Sequence, residues 1–125
     1  MDASSSPFRL DGKRALLVGA AQGIGASCAT VFAELGATLC LSDVDIEQVE
    51  RHLPQLARPE AHSAHFVDIA DEASVDELIR DAVAALGQLD IVVCTAGVGL
   101  GFWGTVAWAI GIVLLAAYDG IKART

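Results

Sequence analysis

Basic residues are scarce in this 125-residue chain: eight Lys and Arg stand against sixteen Asp and Glu, a formal net charge of −8. Without a surplus of cations to neutralise phosphates, nucleic acid and anionic membrane surfaces are excluded as expected partners. Cysteine is equally sparse. Cys28, Cys40 and Cys94 are odd in number, lie in apolar stretches and match no zinc-ligand spacing, so they read as buried free thiols of a reducing compartment, and no metal site is expected. The stretch from Met1 to Pro7 has neither the basic start nor the apolar run of a secretory signal, which makes a cytoplasmic location the default expectation. Internal repeats and low-complexity tracts are missing too. The length suits one domain with a real core rather than a nucleotide-binding and a substrate domain together, so residues 1–125 are read as one domain with a flexible start over 1–7.

What is present is an alternation of short apolar runs and helical periodicity. Arg14 to Val18 reads as a buried strand, and a glycine-rich turn follows at once. From Ile24 to Leu35 the residues Ile24, Cys28, Val31, Phe32 and Leu35 recur at helical spacing, closed by Gly36. Thr38 to Ser42 is a second strand ended by Asp43, and Ile46 to Leu53 a short helix stopped by Pro54. Ala64 to Val67 forms a third strand ended by Asp68. Asp71 to Leu86 is then a helix with a capping box from Ser74 and Glu77 and an apolar stripe of Val75, Leu78, Ile79, Val83 and Leu86. Gly87 closes it, and Leu89 to Cys94 is a fourth, fully buried strand. Such alternation predicts an α/β fold, a parallel sheet with helices on both faces, and right-handed crossovers give the strand order 3-2-1-4 of a dinucleotide-binding half.

The turn after the first strand reads Gly19-Ala20-Ala21-Gln22-Gly23-Ile24-Gly25. Between a strand and a helix, Gly19 permits the tight turn, Gly23 lets backbone approach a pyrophosphate, and Gly25 lets the helix pack close to the strand. The N–H groups and positive dipole end of that helix then face the diphosphate, with Gln22 and Ile24 in the same turn. Asp43 lies 24 positions after Gly19, where such folds place the acid that accepts hydrogen bonds from the adenosine ribose hydroxyls. A carboxylate there repels a 2′-phosphate. Neither the glycine turn nor Ser42 to Asp45 carries a Lys or Arg to offset it, so NAD(H) is favoured over NADP(H).

Leu10-Asp11-Gly12-Lys13, Val18-Gly19 through Gly25, Asp68, and Leu89 to Gly97 together resemble the short-chain dehydrogenase/reductase family, over a match from Phe8 to about Gly99. The resemblance implies a Rossmann-like NAD(P)-binding domain in which Asp68, with Ile69 beside it, contacts the adenine and Ala96 and Gly97 line the adenosine ribose. It also implies an oxidoreductase interconverting an alcohol and a ketone. Three family side chains are replaced: Val18 stands for the usual Thr at the head of the glycine motif, and Cys94 and Thr95 in Cys94-Thr95-Ala96-Gly97 for the two asparagines of Asn-Asn-Ala-Gly. These losses remove hydrogen bonds that tie strands to turns, about 1 kcal/mol each, which predicts looser cofactor binding.

Family members transfer hydride with a Ser, a Tyr and a Lys, the Tyr acting as general acid/base. Tyr118 and Lys122 have the Tyr-x-x-x-Lys pattern, yet Tyr118 lies only 21 positions after Gly97 and no serine occurs after Ser74. The segment from Trp108 to Ala123 instead resembles the helix that follows the fourth strand in this family, with Val113 where an active-site Asn usually stands. In that reading residues 105–123 form an apolar helix, the sheet is truncated after it, and Tyr118 and Lys122 share a helix face at i, i+4 spacing. No charged residue lies between Ile91 and Tyr118, long enough for a membrane span, though Gly97, Gly99, Gly101 and Gly104 weaken a helix there. A buried or partner-covered helix, as at the subunit interfaces of this family, is the favoured alternative to an anchor. Two readings of function stay open: an NAD-dependent oxidoreductase, incomplete or inactive as this chain, and a non-catalytic NAD-binding or interaction module whose apolar tail and open strand edge predict dimerisation or aggregation.

Overall fold

Four strands and three helices alternate along residues 6–95, the part of the chain described by a computed structural model. They are β1 (Arg14–Val18), α1 (Gly23–Glu34), β2 (Thr38–Asp43), α2 (Ile46–His52), β3 (Ser63–Phe66), α3 (Glu72–Leu86) and β4 (Ile91–Cys94). All neighbouring strands are parallel, in the order β3-β2-β1-β4, the arrangement the alternation predicts. Val18 lies beside Ser42 and Cys94, and Asp43 beside Phe66, so the four strands end along one edge.

Alternating side chains of the central strands feed two separate cores, as a strand buried on both faces requires. Ala15, Leu17, Leu39 and Leu41 meet α1 and α2 on one face through Ala29, Ala33 and Val49. Leu16, Val18 and Cys40 meet α3 on the other through Val75, Leu78, Ile79, Ala82 and Leu86. Burial pushes the Cys40 thiol up to about 12, which makes it an inert part of this core rather than a nucleophile. None of the three cysteines is in a disulfide; Cys40 is buried and Cys28 and Cys94 are only half-buried, so the expectation that all three are buried is met by one of them.

Four further expectations are corrected. The apolar stripe of α1 is not its buried face: Gly25, Ala29 and Ala33 are buried, while Ile24 is 74% and Val31 50% exposed. The helix lies so near β1 that only small residues fit beneath it, and the larger apolar side chains are displaced to its flank. Helix α3 has no Ser74/Glu77 capping box, because Asp71 is extended there and its carboxylate accepts from Ala73 N at 3.1 Å, leaving Ser74 Oγ to accept from Asp68 N at 2.9 Å. Strand β3 begins and ends one residue earlier than expected. Strand β4 is half-buried rather than fully buried, since among the described residues it is a sheet edge. The closing glycines behave as their positions predict. Gly36 has φ +103°, its N–H donates to Ala33 O and that of Ala37 to Phe32 O, the paired bonds of a left-handed helix stop.

At the opposite edge of the sheet from the strand ends, His62 is buried and substitutes for a strand residue. Its Nδ1 accepts from Leu39 N at 3.0 Å, so its proton sits on Nε2, which donates to Ala57 O at 2.8 Å. Burial holds its pKa below the ordinary 6.5, helped by Arg58 and opposed by the Ala57 hydrogen bond and Glu60. A folded pKa below the unfolded one means that the unfolded chain takes up the proton first as pH falls. The stability from neutral His62 is therefore complete above about pH 6.5 and is lost as pH drops through the folded pKa. Urea melts between pH 7.5 and 5 are expected to show this loss in the wild type and a flatter profile in His62→Gln; parallel profiles would contradict the assignment.

Candidate functional site

The chain leaves β1 through a turn that is neither helical nor extended throughout. Gly19 has φ +92° and Gly23 φ +61°, with Gln22 between them fully extended before α1 begins. Both glycines occupy the left-handed region that side-chain-bearing residues disfavour. On the β2 side the turn is held by Gly19 N and Ala20 N, which donate to Ser42 O at 2.8 and 3.0 Å. Each glycine has the geometry its position predicts. A Cβ on Gly25 would overlap Gly19 O and lie 2.7 Å from Thr95 Oγ1, so this position sets how near α1 comes to β1. A Cβ on Gly23 would meet nothing within 4 Å; it would project into open space beside the helix N-terminus.

That space belongs to a cleft of about 510 Å³ at the strand ends. Gly19, Gln22, Gly23, Ile24 and Gly25 form one wall, and Asp43, Asp68 and Ile69 the other, so every site residue expected within residues 6–95 lines one cavity. Ala96, Gly97, Tyr118, Lys122 and the apolar segment 105–123 lie outside the described residues. The cleft also takes in Val44, Val67 and Thr95, which the sequence reading did not single out. Val44 and Thr95 could have been found from register alone, being the residues that follow Asp43 and Cys94 at the strand ends.

Asp43 is tied on both oxygens. Oδ2 accepts from Ala21 N at 3.0 Å, linking the end of β2 to the glycine turn, and Oδ1 accepts from Asp45 N at 3.1 Å. It does not cap α2, whose N-cap is Asp45, accepting from Gln48 N at 3.3 Å. Asp68 Oδ1 accepts from Ala70 N at 3.0 Å, which turns the chain away from β3. Among the described residues, no Lys or Arg lines the cavity. An anion there would be held by first-turn N–H groups of α1, which lack acceptors within the helix, and by the positive end of its dipole. Beside it, Val44, Val67 and Ile69 offer an apolar slot near the two carboxylates. Glycine cradle, apolar slot and carboxylate together suit an adenosine diphosphate, which presents a doubly charged linker, a flat ring and a ribose diol to be recognised. Among the described residues no His, Cys, Asp and Glu side chains gather as a metal site, and no helix is long and apolar enough to cross a membrane.

Residues 19–106 match a family model described as enoyl-(acyl carrier protein) reductase. The chain is 47% identical over 93 residues to D-threitol dehydrogenase of Mycolicibacterium smegmatis, a match covering 73% of this chain and 35% of that protein. In three dimensions it is similar to hydroxysteroid dehydrogenase from Escherichia coli, with a TM-score of 0.81 and 24% identity over 93% of this chain and 55% of that one. A 7 alpha-hydroxysteroid dehydrogenase complexed with NADH and 7-oxo glycochenodeoxycholic acid gives the same TM-score of 0.81, at 24% identity over 93% of this chain and 51% of that one. At that identity the two structures speak for the fold. The chain spans about a third of the length of the curated relatives it matches.

Proposed function

The chain belongs to the short-chain dehydrogenase/reductase family of oxidoreductases, and from that premise we propose that residues 6–95 hold the adenosine diphosphate half of NAD(H) for oxidation of an alcohol or reduction of a ketone. The observation that carries this reading is the open space over Gly23, at the N-terminus of α1 and in one cavity with Asp43. The nicotinamide ring, when bound, accepts or donates the hydride; the residues described here bind and orient the other end of the cofactor. Gly23 and the first turn of α1 take the diphosphate, Asp43 the ribose hydroxyls, and Asp68 with Ile69 the adenine edge and face. NAD(H) is preferred over NADP(H) because, among the described residues, two carboxylates and no cation line the pocket. The substrate class is carried over from relatives named as dehydrogenases of polyols and sugars, among them D-threitol and sorbitol. Ala96 and Gly97 would extend the ribose wall, and a second copy covering the apolar C-terminal segment would complete the assembly.

Thermal unfolding tests the reading. NAD at one hundred times its Kd is expected to stabilise the protein by about 2.7 kcal/mol, and ADP to raise the melting temperature as well. No shift at millimolar NAD would remove the cofactor assignment. Turnover with NAD and a polyol panel, lost on Tyr118→Phe, would show that Tyr118 and Lys122 act as the proton-transfer pair in spite of their spacing.

A further inference from the structure

The side chains that usually tie the head of the glycine motif to the fourth strand are missing here, yet the turn is braced on that side too. Thr95 N donates to Val18 O at 2.9 Å, continuing the β1–β4 ladder one residue past the end of β4. Its hydroxyl lies 3.1 Å from Gly19 O and 3.3 Å from Val18 O, so its single proton is given to one of two carbonyls at the start of the turn. Gly19 O is also the atom that a Cβ on Gly25 would strike. The Gly19 carbonyl is therefore held between the Thr95 hydroxyl and the Cα of Gly25, and its direction sets both the first peptide of the turn and the seat of α1.

Val18 cannot supply this tie, since its side chain is apolar and 1% exposed within the core on the α3 side. On the β2 side the turn offers only N–H donors, from Gly19 and Ala20 to Ser42 O and from Ala21 to Asp43 Oδ2. We propose that Thr95 is the positioning residue of the glycine turn: its hydroxyl, supplied from β4, fixes the Gly19 carbonyl and so shapes the cradle that receives a diphosphate. Thr95 acts through backbone and does no chemistry itself. The inference rests on the dinucleotide reading for its ligand and on hydrogen bonding alone for its effect on the turn.

Two variants of the full chain separate these parts. Thr95→Val keeps the shape and removes the hydroxyl; Thr95→Ser keeps the hydroxyl. In NMR titrations Thr95→Val is expected to weaken ADP by about three- to ten-fold, the worth of one neutral hydrogen bond, and adenosine by less than about two-fold. Thr95→Ser should match the wild type. A general structural role would instead weaken adenosine and ADP alike, which would overturn the proposal, as would a Ser variant that loses ADP affinity or a Val variant that keeps it. Amide exchange without ligand provides the second measurement. Gly19, Ala20 and Ala21 should exchange faster in Thr95→Val than in the wild type or Thr95→Ser, while Val67, bonded to Asp43 O, is unchanged. If wild-type protein binds neither ligand, the cofactor reading falls, and the exchange pattern alone decides Thr95: equal exchange in all three overturns it.

Discussion

Alanine at position 25 is expected to abolish NAD binding and to lower the unfolding free energy by about 1–3 kcal/mol or more, the usual penalty for forcing atoms into a filled site. The added methyl would overlap Gly19 O and press on Thr95 Oγ1, one a backbone atom and the other a side chain already engaged with that backbone. Neither can yield without moving α1 off β1, and that motion would open the turn. Gly23→Ala provides the contrast. Its methyl meets nothing within 4 Å, so the folded protein carries only the strain of φ +61°, about 1–2 kcal/mol, but the methyl stands where the diphosphate is proposed to rest. Denaturant melts and NAD titrations of both variants would separate them: loss of stability with loss of binding for Gly25→Ala, loss of binding with a smaller change in stability for Gly23→Ala. A Gly25→Ala protein with wild-type stability and affinity would show that the helix does not seat as described.

Removing the charge at Asp43 is expected to erase the proposed preference for NAD over NADP. Two unit charges about 4 Å apart repel by about 1 kcal/mol in water and about 4 kcal/mol near a protein surface, a preference of roughly fivefold to several hundredfold. The carboxylate has a second task, because Oδ2 also holds Ala21 N. Asp43→Ala removes both, so it should lower NAD affinity as well as the NAD:NADP ratio. Asp43→Asn keeps an acceptor for the turn while losing the charge, so it should collapse the ratio with a smaller loss of NAD affinity. Parallel titrations of both cofactors against three proteins would check this. An unchanged ratio in Asp43→Asn would mean that the charge does not select the cofactor.

Much of this site was legible in the chain because its parts are local. Three glycines in seven residues, directly between an apolar run and a helical period, define a turn whatever surrounds it, and an acid at the end of the next apolar run falls beside it through parallel register. Thr95 was read only as the loss of a family asparagine. Its value comes from lying across from Gly19, 76 positions away in sequence, a proximity that no local pattern encodes. Ser74 and Glu77 matched a capping pattern, but Asp71 reached the free N–H groups first because the helix begins right after it.

By itself, then, the amino-acid order determined the succession of strands and helices, their parallel arrangement and the glycine cradle, since periodicity, turn chemistry and crossover handedness act over short stretches of chain. Only the tertiary structure decided which side of α1 is buried. The spacing of apolar residues pointed to Ile24, Cys28 and Val31, whereas the close approach of α1 to β1 selected Gly25, Ala29 and Ala33. Periodicity reports which side chains avoid water; the distance between two packed elements decides how large a side chain can lie between them. The same distance brings the Thr95 hydroxyl, the Gly19 carbonyl and Gly25 to one point, where the shape of the cradle is set.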